Sequence, residues 1–460
     1  MMKLRHWQSD CIRKALDHFS VDQHFFCQAT PGAGKTRMVA ELGLKLFEQD
    51  KIDIVICFAP SCQIVEGIQK TFESVLKKPF DGKIGAAGVA MTYQSIEHKD
   101  ESFWRLFSSL RVFAVFDEIH HCSGGDTFQP ANIWGQKIIQ RIQDAAIITM
   151  GMSGTPWRSD DHSIALARYS TPEGRLIVDY QYSLTQAIED GVCRSPHITF
   201  VDNTEIIFEQ PDKKQESYMS FASLLKKTDA NFESLVTHDD VIIHLLDLSR
   251  HRLNTIRQSV SDAGCLIVAS NIDHAHQIAG LLKSRMNEES IVVTTHRSDA
   301  AKIIDQFRHS DAKWIVAVGM ISEGTDIPRL QVCCYLSRIR TEMYFRQVLG
   351  RVLRRRSDAD PKAWMFMISE SVLTACAKRL MESLPDHLAV SVHVNYINRK
   401  GILLQESNEC NKNIKNQCTE SNETTSSTAN ITKEFLMEKK RITGSIVLSG
   451  NFREQLLAFF

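Results

Sequence analysis

The sequence predicts an α/β fold with two consecutive domains, each a parallel sheet flanked by helices. Between Phe25 and about Phe200, short apolar runs such as "IVICFAP" and "VFAVFDE" alternate with longer helix-like segments, a rhythm typical of parallel strands joined by helices. A second set of runs begins at Cys265 with "CLIVAS" and ends with "WMFMIS". The chain of 460 residues is also too long for one ordinary core, at about 150 residues per domain.

The composition indicates a globular, cytoplasmic protein. Hydrophobic residues make up 43% and charged residues 24% of the chain, with a formal net charge of -1. A broadly basic surface is thereby excluded, so any binding of nucleic acid must be local. No apolar run has the length of a membrane span, and "MMKLRHWQSD" lacks the apolar core of a signal peptide. The 12 cysteines form no C-x-x-C pair, which favours buried thiols in a reducing compartment.

Changes in composition divide the chain into five predicted segments. Residues 1–200 and 252–400 are the two domains, and the first of them contains the nucleotide-binding motifs. The charged stretch 201–251 has no clear strand rhythm and is interpreted as a connector or a helical insertion. Residues 401–432 are nearly free of large apolar side chains, which predicts a flexible polar linker. Residues 433–460 form a short C-terminal segment of unknown role, too short for a core of its own.

The stretch "FFCQATPGAGKTRMVAEL" predicts a phosphate-binding loop between a strand and an amphipathic helix. Glycines in the loop allow successive N–H groups to face a phosphate, and the helix adds its positive end. Lys35 can reach the β and γ phosphates of ATP, and Thr36 offers a hydroxyl to Mg2+. Ala29 replaces the first glycine of the strict pattern, so an ordinary glycine turn is the alternative. The predicted nucleotide-contacting residues here are Pro31, Gly32, Ala33, Gly34, Lys35 and Thr36.

The stretch "VFAVFDEIHH" places two carboxylates at the end of a buried strand. The carboxyl edge of a parallel sheet is where ligands bind, so Asp117 and Glu118 are expected beside the phosphate loop. Asp117 would hold Mg2+, and Glu118 would orient and deprotonate the attacking water. The adjacent His120 and His121 suggest a zinc site, but further ligands at usable spacing are missing from the sequence. An unremarkable turn after a strand is the alternative.

With these two motifs placed, the sequence resembles the superfamily 2 helicases of the D-E-x-H (DEAD/DEAH-box) type. Further stretches match the family's motifs in order over about Leu4 to Ser369: "LRHWQ", "FAPSCQIVEGIQKTF", "AMTYQSI", "MSGTPWR", "CLIVASNIDHAHQIAGLL", "VGMISEGTDIPRL" and "QVLGRVLRR". Three features resemble the group that contains restriction-enzyme motor subunits and bacterial DNA repair helicases: the "LRHWQ" stretch, "GTDIP" and the Q-x-x-G-R-x-x-R form of the last stretch. The cysteine zinc module or fused nuclease of some of those relatives is not visible in the sequence.

The resemblance implies two tandem RecA-like domains and a role for individual residues. Gln8 would read adenine, while Gly324, Asp326 and Gln347 complete the nucleotide contacts. His120, Ser153 and Thr155 would couple hydrolysis to strand contact. The expected contacts to nucleic acid are Pro60, Thr92, Tyr93 and Gln94, with packing in the core or in a turn as the alternative for Tyr93.

Helical geometry predicts which residues of the basic stretch "QVLGRVLRRR" share one face of a helix. At 3.6 residues per turn, Gln347, Arg351 and Arg354 share one face of a predicted helix. The opposite face is apolar and would pack on the second sheet; it comprises Phe345, Val348, Leu349, Val352 and Leu353. An exposed arginine beside a phosphate chain contributes about 1 kcal/mol, whereas an arginine finger contributes roughly 4 to 7 kcal/mol to turnover.

Arginines held by an apolar anchor suit the second task, so Arg351 and Arg354 are the predicted fingers, against the alternative of a solvated basic face. The flanking arginines are expected to be surface or backbone-contacting charges: Arg338, Arg340, Arg355 and Arg356.

These patterns predict an ATP-dependent helicase or translocase that uses ATP and Mg2+ and acts on nucleic acid, with DNA favoured over RNA. The catalytic residues would be Lys35, Asp117, Glu118, Arg351 and Arg354. The alternative is a nucleotide-gated clamp or scaffold subunit of a restriction, repair or defence complex that does not separate strands. The polar C-terminal tail offers a place for a protein partner, and no membrane association is expected.

Overall fold

The computed structural model describes residues 3–125, 131–156, 162–209, 215–294, 299–319, 327–356, 360–382, 389–394, 445–448 and 451–459. The chain divides into two compact units. The larger contains Met1–Asp202, Asn231–Val394 and Glu454–Phe460, and the smaller contains Asn203–Ala230 and Asn395–Arg453. Both predicted α/β domains lie in the larger unit.

The first domain alternates helices and strands along the chain. Its elements are α1 (His6–His18), β1 (His24–Ala29), α2 (Lys35–Glu48), β2 (Ile54–Ala59), α3 (Cys62–Leu76), β3 (Gly88–Thr92), α4 (Glu101–Ser109), β4 (Val112–Asp117), α5 (Ile133–Arg141), β5 (Ile148–Ser153), β6 (Arg168–Tyr169), β7 (Leu176–Ile177), β8 (Tyr180–Tyr182) and α6 (Leu184–Glu189). Among the described residues, its sheet has the order β3-β2-β4-β5-β1-β8. All neighbouring pairs in it are parallel, as predicted.

Apolar side chains on the central strands explain why this sheet is covered on both faces. Every residue of β4 and β5 is buried, as expected for strands that run between two layers of helices. The Phe58 and Phe116 rings stack at a centroid distance of 5.2 Å. Because β1, β5 and β4 are adjacent, the loops after them meet at one carboxyl edge.

The second half of the chain contains the remaining elements. They are β9 (Ser195–Asn203), β10 (Ile206–Glu209), β11 (Gln215–Tyr218), α7 (Phe221–Lys227), α8 (Phe232–Val236), α9 (Asp239–Arg257), β12 (Gly264–Ala269), α10 (Ile272–Met286), β13 (Ser290–Thr294), α11 (Ala300–Arg308), β14 (Trp314–Val318), β15 (Leu330–Leu336), α12 (Glu342–Val352), β16 (Lys362–Ile368), α13 (Ser371–Glu382), β17 (Ala389–Val394), β18 (Ser445–Leu448) and β19 (Phe452–Phe459).

The second sheet has the order β13-β14-β12-β15-β16-β9-β19-β17 in the part of the chain that is described. Its strands from β13 to β9 pair in parallel, and β17 pairs with β19 in antiparallel orientation. The α/β prediction of two domains with parallel sheets is confirmed. Strand β9 comes before the predicted connector, yet Lys362 of β16 pairs with Ser195. The boundary predicted at residue 200 therefore falls inside a strand of the second sheet.

The segment 201–251, predicted as a connector or a helical insertion, contains strands as well as helices. It contains β10, β11, α7 and α8, and α9 begins within it. Helix α9 packs on β15 and β16 through buried residues such as Leu246 and Leu253. Charged residues on the exposed face of α9 interrupt this apolar stripe in the sequence. The segment therefore lacks the continuous or alternating apolar pattern that predicts a strand.

The smaller unit is built on a short antiparallel sheet. In its described part the strand order is β11-β10-β18, and Ile206 of β10 pairs with both Tyr218 and Leu448. Helix α7 packs on β10 and β11 with Phe221 and Leu224 buried. The predicted segment 433–460 thus contributes one strand to this sheet, whereas the predicted linker 401–432 lies outside the described residues. Among the described helices, none has the length and apolar character needed to cross a membrane.

Candidate nucleotide-binding cleft

The phosphate loop connects β1 to α2 through two glycines in the left-handed region. Gly32 has φ 83° and Gly34 has φ 94°, values that residues with a Cβ rarely adopt. A Cβ at Gly32 would also lie 3.0 Å from Cγ of Arg354, and one at Gly34 would lie 3.0 Å from Nε2 of Gln8. The loop is therefore curled as the sequence predicted, and it leads directly into the N-terminus of α2, which is the positive end of the helix.

Lys35, the first residue of α2, is held between two acceptors. Its Nζ lies 3.2 Å from Oε1 of Glu118 and donates to the carbonyl of Ala29 at 3.3 Å. The side chain is buried, so its charge is compensated by the carboxylate. Because a bound phosphate would offer oxygens to the same ammonium group, Lys35 can exchange one anionic partner for another.

Glu118 lies at the centre of the acidic loop in an unusual backbone conformation. Its φ of 50° is in the left-handed region, which costs on the order of 1 kcal/mol for a residue with a Cβ. Its Oε2 accepts hydrogen bonds from the Gly154 backbone at 3.2 Å and from Ser153 Oγ at 3.3 Å. Burial raises the pKa of this carboxyl, but the charges of Lys35 and His120, the hydrogen bond from Lys35 and the backbone bond from Gly154 outweigh burial and lower the pKa to about 2. Glu118 is therefore an ionised base.

Two of the predicted coupling residues, His120 and Ser153, contact Glu118, and the third, Thr155, contacts Ser153. His120 Nδ1 lies 2.8 Å from Ser153 Oγ and 3.4 Å from Glu118 Oε2. The Thr155 backbone donates to Ser153 Oγ at 3.1 Å. Both Ser153 and Thr155 are buried. The carboxyl edge thus links the acidic loop after β4 to the loop after β5 through one short hydrogen-bonded chain.

The arginine stretch differs from its predicted geometry in one respect. Helix α12 ends at Val352, so Arg354 is not on the helix face that it was expected to share with Gln347 and Arg351. It instead forms an antiparallel bridge with Cys193. A backbone bond from Arg194 to the Leu353 carbonyl, 2.7 Å, accompanies this departure from the helix. The apolar face of α12 is buried as predicted.

Both arginines nevertheless face the phosphate loop. A cleft of about 490 Å³ brings together most of the predicted site: Pro31, Gly32, Gly34, Lys35, Thr36, Asp117, Glu118, Thr155, Gln347, Arg351 and Arg354. Burial lowers the pKa of the Arg354 guanidinium to about 10, with a smaller lowering by Arg308. The group is still charged at neutral pH, and a desolvated charge attracts an anion more strongly than an exposed one does.

The donor set in this cleft fits a nucleotide bound with Mg2+. Asp117 is buried at the end of β4, and Thr36 lies in the first turn of α2; both line the cleft. Mg2+ commonly takes one or two carboxylates together with phosphate oxygens and water. The residues that would hold the ion are therefore Thr36 and Asp117.

Gln8 lies beside the phosphate loop but its amide is bonded within the chain. Its Nε2 donates to the Gly34 carbonyl at 3.0 Å, and its Oε1 accepts from the Arg5 backbone at 2.9 Å. Arg5 Nη1 donates to the Ala33 carbonyl at 2.7 Å. Gln8 was predicted from the sequence as a nucleotide contact and Arg5 was not, although both belong to the same "LRHWQ" stretch. The two side chains therefore connect α1 to the phosphate loop through hydrogen bonds.

The predicted contacts to nucleic acid have mixed outcomes. Tyr93 is fully buried, its hydroxyl donates to the Asp117 carbonyl at 2.8 Å, and its ring stacks on Trp134. Its expected side-chain contact with nucleic acid is therefore wrong, because the ring belongs to the core beneath the acidic loop. Gln94 is exposed, while Thr92 and Pro60 are partly exposed. Gly324 and Asp326 lie outside the described residues.

Three of the four flanking arginines have carboxylate partners. Arg356 makes two 2.7 Å bonds to Asp262. Arg338 lies 3.4 Å from Glu233, and Arg340 lies 3.3 Å from Glu370. The fourth, Arg355, is partly exposed and lines the cleft. The other three, which were also expected to be surface or backbone-contacting charges, are exposed.

Two protein-family models match parts of the chain. Residues 1–158 match "Type III restriction enzyme, res subunit", and residues 245–356 match "Helicase conserved C-terminal domain". These ranges contain the phosphate loop and acidic loop in the first case, and α12 with Arg351 and Arg354 in the second.

Individual proteins are similar at lower identity. An uncharacterized protein of Mycobacterium leprae (strain TN) is 28% identical over 403 residues, which cover 85% of this chain and 66% of that protein. A DNA 3'-5' translocase of Sulfurisphaera tokodaii is 20% identical over 383 residues, covering 77% of this chain and 79% of the translocase. The chain spans 59% to 66% of the length of the mycobacterial relatives that it matches.

A solved structure shares the fold. The ATP-dependent type ISP restriction-modification enzyme LlaBIII bound to DNA is 14% identical, with a TM-score of 0.55. The similarity covers 83% of this chain and 30% of that one. It extends across both α/β domains.

Proposed function

The chain belongs to superfamily 2 of the helicases, and from that membership we propose that it is a nucleic-acid-dependent ATPase that moves along DNA. The observation that carries the proposal is the composition of the cleft. Lys35 and Glu118 lie on one side, and Arg351 and Arg354 lie on the other. A phosphate-binding ammonium group, a carboxylate base and two guanidinium groups around one cavity of about 490 Å³ are the protein groups that phosphoryl transfer to water requires.

The first domain would bind the nucleotide. The backbone N–H groups after Thr30 and the ammonium of Lys35 would hold the β and γ phosphates. Mg2+, held by Thr36 and Asp117, would neutralise charge on the phosphate oxygens when bound. As Lys35 turns to the phosphates, Glu118 loses its ion-pair partner and becomes available to a water molecule.

Glu118 would then orient that water and accept its proton. Its two bonds from Gly154 and Ser153 leave Oε1 facing the position of Lys35, on the cleft side. A carboxylate in this position acts as a general base when it lies within hydrogen-bond reach of the attacking water. The chain of contacts through Ser153 to His120 would transmit the change at Glu118 to the edge of the sheet.

The second domain would supply the charge that stabilises the transition state. Arg351 and Arg354 meet the phosphate loop only while the two domains are together, so domain closure would gate turnover. A strand bound across both domains would be held alternately as the cleft opens and closes. The resulting cycle converts hydrolysis into movement.

DNA is the proposed substrate because one relative is named a DNA translocase and the group that the motifs resemble acts on DNA. The exposed Gln94 and the backbone at Pro60 and Thr92 are the proposed contacts in the first domain. Such loop contacts bind the sugar-phosphate backbone of the nucleic acid and do not depend on its base sequence.

The test is ATP hydrolysis measured with and without single-stranded, duplex and forked DNA and RNA, beside a strand-displacement assay. We expect stimulation by DNA, and loss of hydrolysis in Lys35→Ala. Hydrolysis at the parental rate in that variant would contradict the proposal. Slow hydrolysis without displacement or movement would favour a nucleotide-gated clamp.

A further inference from the structure

A buried ion pair lies next to the arginine segment, which we define as residues 352–356. Arg194 and Asp360 are 0% and 1% exposed, and Arg194 Nε lies 3.2 Å from Asp360 Oδ2. An ion pair of this kind is stable only when the remaining N–H groups also have acceptors. Those acceptors show what the arginine does.

The other donors of Arg194 bond to backbone carbonyls around the end of α12. Nη1 donates to the carbonyl of Val352 at 2.7 Å and to that of Leu330 at 2.6 Å. Nη2 donates to the carbonyl of Pro328 at 2.9 Å. The last carbonyls of a helix have no partner within the helix, so Arg194 completes the C-terminus of α12 and ties it to the start of β15.

The backbone on both sides of Arg194 contacts the same segment. Its N–H donates to the Leu353 carbonyl at 2.7 Å, and Cys193 forms a bridge with Arg354. Cys193 also approaches the phosphate loop, with Sγ 3.8 Å from the Pro31 carbonyl. Residues 193–194 therefore touch both sides of the cleft at the point where the chain passes from α6 to β9.

We propose that Arg194 is a positioning residue for turnover: paired with Asp360, it sets where the chain leaves α12 and so aims Arg354 at the phosphate loop. The inference rests on the proposed ATPase function. Arg194 does not line the cleft itself and would act through Arg354. A misplacement of about 1 Å at a catalytic group can lower a rate on the order of 10²-fold.

Arg329 provides a matched control for a purely structural role. It is also buried, at 2% exposure. It donates to the carbonyls of Phe307, Asp262 and Ala312 at 3.0, 2.8 and 2.7 Å. These acceptors do not line the cleft. Loss of Arg329 should therefore destabilise the fold much as loss of Arg194 does, without redirecting Arg354.

The experiment compares Arg194→Lys, the double variant Arg194→Met with Asp360→Asn, and Arg329→Met in the full chain. Lysine keeps the charge opposite Asp360 but loses the fork that reaches the carbonyls. The double variant removes both charges, which is often far less destabilising than removing one. ATPase kinetics are measured well below each variant's unfolding midpoint, and hydrogen exchange is followed in residues 350–356.

We expect both Arg194 variants to lose kcat by about 10- to 100-fold while KM for ATP changes by less than about twofold. Arg329→Met should lower the unfolding temperature yet keep kcat. Equal loss of kcat in the Arg194 and Arg329 variants, or unchanged kcat in the Arg194 variants, would overturn the inference.

Hydrogen exchange separates this inference from the proposed function. Faster exchange of residues 350–356 in Arg194→Lys than in Arg329→Met supports the positioning role, even if the parental protein hydrolyses no ATP and the proposed function fails. Equal exchange in the two variants counts against the positioning role, whatever the ATPase result.

Discussion

The two sides of the cleft are stabilised by contacts of very different range. On the phosphate-loop side, β1, the loop and α2 are consecutive, and Lys35 bonds to a carbonyl only 6 residues away. On the arginine side, Arg194 reaches acceptors that are 134 to 166 residues distant in sequence. The phosphate loop itself is therefore a local structure that one motif encodes, although Lys35 also pairs with Glu118 from the loop after β4. The second exists only after the strand β9 has joined the second sheet.

This difference predicts which substitutions affect nucleotide binding and which affect turnover alone. Changes on the phosphate-loop side should alter both, because that side would hold the phosphates. Changes on the arginine side should reduce the rate and leave affinity nearly unchanged, because the arginines would act on charge that develops during the reaction. Glu118 lies on the phosphate-loop side, but its substitution should reduce the rate and leave nucleotide affinity nearly unchanged, like substitutions on the arginine side.

Of the three substitutions Glu118→Gln, Gly350→Ala and Arg356→Ala, the largest effect on the rate is expected for the first. Glutamine retains the size and the hydrogen bonds from Gly154 but cannot accept a proton, so hydrolysis should fall by about 10² to 10⁴. ATP affinity should hold or increase, because Lys35 loses a competing anion. Single-turnover hydrolysis and nucleotide titration measure the two quantities.

The pKa of Glu118 sets the pH dependence of this loss. The low pKa of about 2 keeps the carboxylate ionised in the free protein, so the ratio of parental to variant kcat/KM, which reports the ionisation of the free enzyme, should be constant between about pH 5 and 8. Glu101→Gln, at an exposed pair with Arg141, is the control and should keep the parental rate. A ratio that falls steeply towards acid pH would contradict the assignment of Glu118 as the ionised base.

An intermediate effect is expected for Gly350→Ala. A Cβ at Gly350 would lie 2.6 Å from Cβ of Pro31 in the phosphate loop, and neither the proline ring nor the helix can yield easily. Helix α12 should move away from the loop, and kcat should fall by about 10- to 100-fold with little change in ATP affinity.

Gly280→Ala is the matched control for this substitution, since no described atom outside the neighbouring backbone of α10 lies within 4 Å of its Cβ position. This variant should gain about 0.5 to 1 kcal/mol in the free energy of unfolding and keep the parental rate. Equal rates in the two variants would show that the close approach at Gly350 is not needed for turnover.

The smallest effect is expected for Arg356→Ala. This arginine is bonded to Asp262, and both side chains are about one third exposed, so the pair should contribute less than about 1 kcal/mol to the free energy of unfolding. The bond from Arg356 lowers the pKa of Asp262. A lowered carboxyl pKa adds stability above its unfolded value, and this stability is lost as the pH falls through the folded pKa.

Urea unfolding of the parent and Arg356→Ala should therefore differ at neutral pH and converge in acid. The ATPase rate should be unchanged. A large loss of rate would mean that Arg356, and not only Arg351 and Arg354, acts in the cleft.

Much of the fold and of the first side of the cleft follows from local sequence. The alternation of apolar runs predicts both sheets, and "TPGAGKT" predicts the loop because glycine φ values and the helix start are local properties. The role of β9 was not predictable in this way. All nine of its residues are buried, as in a central strand, but its local sequence does not indicate which of the two sheets it joins.

The arginine side shows where helical periodicity stops being informative. The pattern from Gln347 to Leu353 matches the observed helix, but nothing in "QVLGRVLRRR" marks its end at Val352. The end is fixed by Arg194, a residue far away in sequence that completes the helix carbonyls. Tyr93 was misassigned for a similar reason, since its burial depends on Trp134 and Asp117, which come from other elements.

The measurement that tests the central claim most directly is the division of the effect of Arg354→Ala between ATP binding and turnover. The dissociation constant is obtained by nucleotide titration and kcat by steady-state hydrolysis with saturating DNA. The arrangement around Gly32 predicts a loss of kcat on the order of 10³-fold or more, with the dissociation constant changed by less than about threefold. Equal weakening of binding and turnover, or parental kcat, would contradict the claim that Arg354 acts on the transferring phosphoryl group.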